Sequence, residues 1–168
     1  MSYSTDWVND LTWSNKLFVD KVWPVIRKRC GGGEIKPVEI MPDIISRDLD
    51  MLCGIDVWHT VPGAGARGIA SRVQRGGRNW GSFTIRYKRA SGAKTEYEKR
   101  LEAIKTGQYI YPYLTCQAYF DKDKLIGGGF AKTIDIFNAI DLTNTNKSDN
   151  EFLIIPFKNV VGVKVFCS

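Results

Sequence analysis

Asp56 stands between Ile55 and Val57 in an apolar stretch. A carboxylate there is costly to bury unless a cation or a metal answers it. Alternate residues of a strand face the same way, so Asp48, Asp50 and Asp56 share a parity. Carboxylates at one strand's end, beside a second strand that carries Gln74, form an oxygen-donor set of the kind that holds Mg²⁺ or Mn²⁺. Such a metal activates water and stabilises charge on a phosphate under attack. Arg72 shares the face of Gln74 by the same parity rule. His59 is the single histidine and has no serine or cysteine motif beside it, so it reads as structural. The four cysteines, Cys30, Cys53, Cys116 and Cys167, form no C-x-x-C pair. They read as reduced thiols rather than a zinc site.

Charge points the same way. The chain carries a formal +6, and the segment Arg67–Lys105 holds eleven Lys or Arg against three Glu. A basic segment of this kind suits a phosphate backbone, because each neutralised phosphate releases counterions. Arg67, Arg72, Arg75, Arg78, Arg86 and Lys99 are the expected nucleic-acid contacts. Trp58, Trp80, Phe83, Tyr87, Tyr109, Tyr111 and Tyr113 interleave with the basic residues, and aromatics so placed can stack on bases. Glu96, Lys99 and Arg100 read as a solvated helix face that can touch phosphate.

The elements that must position these groups follow from pattern. Residues 12–30 read as a helix interrupted at Pro24 and ended by Gly31–Gly33. Residues 34–47 read as a loop or irregular edge. Three strands are expected at 48–60, 68–74 and 82–88 as sequential neighbours in one sheet. Residues 95–106 read as a helix opened by a capping box from Thr95 to Glu98 and stopped by Gly107. A fourth strand is expected at 111–120, then a turn at Gly127–Gly129, a short amphipathic segment within 130–142 that is either helix or strand, a polar loop at 143–150 and strand-like pieces to the C-terminus. At 168 residues the chain is expected to be one domain that needs no staple. Its core spans about 12–120, with an extension over 121–168. The polar N-terminus and the lack of a long apolar run predict a cytoplasmic protein without membrane contact.

The order helix, three strands, helix, strand, with Gly54-Ile55-Asp56 on one strand and Val73-Gln74 on the next, resembles the PD-(D/E)XK (restriction-endonuclease-like) nuclease superfamily. The likeness is to its Mrr-type and phage branch. It implies an α/β fold with a mixed central sheet flanked by helices, in an αβββαβ core. It also implies a Mg²⁺-dependent (or Mn²⁺-dependent) nuclease acting on DNA more than RNA, with room for a homodimer. Asp56 then matches the central metal-binding aspartate, with Gln74 and Asp50 completing the metal set. The family lysine falls at Gly76, so Lys88 is the expected substitute, which makes Asp56, Gln74 and Lys88 the catalytic set. The alternative is a nuclease-like module that has lost catalysis and binds nucleic acid or a phosphorylated nucleotide. A third reading is an inhibitory module that binds protein.

Overall fold

The computed structural model describes residues 12–38, 53–143, 145–148 and 151–167. Residues 12–30 form one helical run, α1. It passes through a π turn (Phe18–Val22), an α-helical turn (Trp23–Ile26) and a 3₁₀ turn (Arg27–Cys30). The widening just before Pro24 places the proline in the first turn of a new segment, where its missing N–H needs no partner. Gly31, at φ 89°, closes the run in the left-handed region.

Six strands make the central sheet, in the order β1-β2-β3-β5-β6-β9. They are β1 (Glu34–Pro37), β2 (Val57–Val61), β3 (Gly65–Arg75), β5 (Leu114–Asp121), β6 (Lys124–Lys132) and β9 (Lys164–Cys167). β3 and β5 are parallel and every other pair is antiparallel. The fold is therefore α/β with a mixed sheet, as the pattern predicts. Parallel neighbours need a crossover, and α2 (Glu96–Thr106) lies on it between β3 and β5. The capping box forms as expected. Thr95 N–H donates to Glu98 Oε2 at 2.7 Å, and Glu98 N–H donates to Thr95 Oγ1 at 3.2 Å.

Two expectations change. Of the stretch read as a loop or irregular edge, residues 34–37 form a regular edge strand, with Pro37 at the edge where its lost donor is tolerated. The segment 82–88 does not lie beside 68–74. Its strand β4 (Ser82–Arg86) leaves the central sheet and pairs with β8 (Phe152–Pro156), which also holds β7 (Asn146–Lys147). The place beside the second half of β3 is taken by β5. Residues 121–167 thus contribute strands to both sheets.

One face of the central sheet packs against α1, through Phe18, Val22 and Ile26 on Val57, Ile69, Cys116 and Phe120. The other face meets the second sheet, α2 and α3 (Thr133–Asn138), through Tyr119 and Ala131 on Phe83, Ile85, Ile136 and Leu153. Among the described residues no helix is long and apolar enough to cross a membrane.

Candidate functional site

The site lies where β2 ends and β3 continues. β3 pairs with β2 only over Gly65–Ile69, while its pairing with β5 runs from Ile69 to Arg75. Asp56 sits at that step. Its N–H donates to Ile69 O at 3.0 Å, and its Oδ2 accepts from Ser71 N–H at 2.7 Å. The carboxylate thus serves one more rung of the ladder after the β2 backbone has stopped. Beyond it opens a cavity of about 510 Å³, with Asp56, Arg72, Arg89, Glu96, Lys99 and Arg100 among its lining.

Glu96 and Arg100 are one helical turn apart in α2, and they meet there. Arg100 is 3% exposed, and its Nη1 lies 2.7 Å from Glu96 Oε1. Its Nη2 donates to Gly54 O at 3.3 Å, Nη1 is held in the ion pair with Glu96, and Nε makes no hydrogen bond among the described residues. Glu96 Oε2 accepts from Arg86 N–H at 3.3 Å and lies 3.6 Å from Arg72 Nη1. Arg72 donates to Thr84 O at 3.3 Å and stacks on the Phe152 ring, 4.4 Å from its centroid. Burial pulls the Arg72 guanidinium below its ordinary pKa, and the Glu96 charge pulls it back. Among the described residues, four cations face two carboxylates here. That excess of positive charge, held in a sheltered concavity, favours an anion.

The other expected residues are scattered. Gln74 lies three residues beyond Ser71, about 10 Å along the strand. It is engaged elsewhere: Gln117 Nε2 donates to Gln74 Oε1 at 3.2 Å, and Thr84 Oγ1 donates to Gln117 Oε1 at 3.1 Å. Gln74 lines a neighbouring cavity of about 740 Å³. Lys88 is exposed and lines neither cavity. The structure therefore does not bring Asp56, Gln74 and Lys88 together. Asp50, with Asp48, lies outside the described residues. Among the described residues, no three His, Cys, Asp or Glu side chains group to hold a metal.

Of the expected nucleic-acid contacts, Arg72 and Lys99 line the Asp56 cavity and Arg75 lines its neighbour. Arg86 stacks on Phe152, Arg78 on Trp80 and Arg75 on Trp13. Arg67 belongs to the α1 side, where it reaches Cys30 O at 2.6 Å. Glu96 and Arg100 turn out to belong to the site rather than to a solvated face. Their i, i+4 spacing was the available signal. Arg89 carried none.

His59 is fully buried on the α1 side, away from this cavity. Its Nδ1 accepts from Arg67 Nε at 3.2 Å, which leaves Nε2–H to donate to Gly32 O at 2.7 Å. Burial, above all, holds its pKa below the ordinary 6.5. The unfolded chain therefore takes up a proton below about pH 6.5 that the folded chain refuses. Stability from this group is complete above that pH and is lost as pH falls. Thermal melting is expected to drop between about pH 7 and pH 5, and His59→Gln should flatten that slope. An unchanged slope in the variant would remove His59 as its source.

No family model, no curated protein and no solved structure matches the chain.

Proposed function

We propose that the chain binds nucleic acid by its sugar-phosphate backbone, with a phosphate entering the cavity beside Asp56. The observation that carries this reading is the cation-rich lining among the described residues, where Arg72, Arg89, Lys99 and Arg100 face Asp56 and Glu96. Arginine offers a planar fork matched to phosphate oxygens. Lys99 and Arg89 add charge at the same mouth. The order of α1, β1, β2, β3, α2 and β5 agrees with the αβββαβ core of the restriction-endonuclease-like nucleases, with β4 diverted. That likeness supports nucleic acid as the anion's source, and DNA ahead of RNA.

A divalent metal fits the described donors less well. Glu96 is already committed to Arg100 and Arg72, which leaves Asp56 as the remaining carboxylate of the cavity. We therefore favour binding without hydrolysis. Phosphodiester cleavage is the second reading, favoured by Asp56 standing at the head of β2 in the cavity.

The test is oligonucleotide binding across a salt series. Each phosphate neutralised contributes about 0.9 to the log–log slope on duplex DNA. Lys99→Ala should lower that slope by about one unit without preference among sequences. Affinity that ignores salt would overturn the proposal.

A further inference from the structure

Beside the phosphate cavity lies the larger one, of about 740 Å³, between the central sheet and the second sheet. Its volume is in the range of small-ligand sites. Ser14, Arg72, Val73 and Thr84 line both cavities, so Arg72 is part of their common wall. Two features set the larger one apart.

Its walls are aromatic and its rings are exposed or capped by cations. Trp80 is 57% exposed, with the Arg78 guanidinium 4.2 Å from its ring centroid. Trp13 carries Arg75 at 3.5 Å, and Phe152 carries Arg72. A large exposed indole is an expensive surface for a protein to keep in water. It is also a stacking platform that any base can use.

Its lining also includes a half-buried amide. Gln74 Oε1 is taken by Gln117, and its Nε2 donates no hydrogen bond among the described residues. Gln74 thus presents amide donors to a largely apolar space, where a base edge with carbonyl acceptors would satisfy them.

We infer that this cavity takes an unpaired nucleobase of a single strand, stacked at Trp80 and hydrogen-bonded by Gln74, while the phosphate of the same strand sits beyond Arg72. The inference rests on the phosphate-binding reading and adds the substrate class. A duplex keeps its bases stacked and paired, and extracting one costs free energy. A single strand offers its bases freely, so it is the preferred ligand.

Three fluorescein-labelled probes test it: a short oligothymidylate, the same strand annealed to oligoadenylate, and an abasic strand of equal length. Binding is read by anisotropy at one salt concentration, with melting as a folding control. Wild type should bind the oligothymidylate on the order of tenfold more tightly than the abasic strand, as expected for one stacked base, and more tightly than the duplex. Trp80→Ala, at an exposed position, should keep the fold and lose about that factor on the oligothymidylate alone. Gln74→Ala should lose less, again only where bases are present. Losses of equal size on the abasic strand and the duplex, or no loss on any probe, would overturn the base site. Equal, salt-sensitive binding of all three probes that neither variant alters would remove the base site and leave phosphate binding standing. Failure of wild type to bind any of the three would remove both.

Discussion

Replacing Glu96 by glutamine should cost about 3 kcal/mol of stability in phosphate-free buffer. Glu96 is the counter-charge of Arg100, which is 3% exposed, and it also faces Arg72. Glutamine keeps the shape and an acceptor for Arg86 N–H but removes the charge. Arg100 is then a buried cation that keeps, among the described residues, the Gly54 carbonyl. An unpaired buried charge is the costly case, far more so than the loss of an exposed ion pair. At 2–4 °C per kcal/mol for a chain of this size, melting should fall by roughly 6–12 °C. The same change deepens the positive field of the cavity. Inorganic phosphate should therefore restabilise Glu96→Gln more than it does wild type, by mass action on the folded state. Arg100→Met in the Glu96→Gln background should recover part of the loss, since an apolar replacement removes the orphaned charge. Melting curves of the two variants with and without phosphate check this. A Glu96→Gln protein as stable as wild type would mean that the ion pair contributes little. One that phosphate cannot rescue would separate the pair from anion binding.

How much of this was legible in the chain depends on which physical signal each feature leaves. The α2 helix is written locally, in Thr95, Glu98 and Gly107, and it forms as read. The face shared by Arg72 and Gln74 is also local, because strand parity needs only the neighbouring residues. Height along a strand is not local. It depends on register, and the register of β2 against β3 is set by the turn after Val61. That register sets Val57 against Ile69, so Asp56 meets Ser71 and Gln74 lies beyond it in the next cavity. The fate of β4 was hidden for a similar reason. Ser82, Thr84 and Arg86 alternate with Phe83 and Ile85 whichever sheet receives them. Only the distant partner β8 decides, about 70 residues further along the chain, in a register that sets Phe83 against Ile155 and Thr84 against Ile154. Arg100 shows the converse. An arginine on a polar helix reads as solvent-facing, and it is buried here because Glu96 one turn earlier and Gly54 O from another segment answer it.

Arg72→Met and Asp56→Asn should move nucleic-acid affinity in opposite directions. Arg72 joins the two cavities, and its guanidinium is held by Thr84 O, Glu96 and the Phe152 ring rather than left to swing. A preorganised arginine loses little entropy when phosphate arrives. Truncating one partner of a sheltered charge pair costs 2–5 kcal/mol, so Arg72→Met should weaken binding on the order of 100-fold. Asp56 acts against the anion. A unit charge about 6 Å from a phosphate contributes about 1–2 kcal/mol of repulsion at an effective dielectric between protein surface and water. Its removal should tighten binding about tenfold. Asparagine keeps an oxygen for Ser71 N–H, so it should melt closer to wild type than Asp56→Ala, which also loses the roughly 1 kcal/mol of that hydrogen bond. The same three proteins, incubated with plasmid and oligonucleotide in Mg²⁺ or Mn²⁺, decide between the two readings of the site. Binding without hydrolysis predicts intact substrate in every lane and the two opposite affinity shifts. Cleavage by wild type that Asp56→Asn abolishes, with affinity kept or raised, would instead make Asp56 a group the reaction needs. It would also mean that a donor outside the described residues completes the metal set, because Glu96 is held by two arginines.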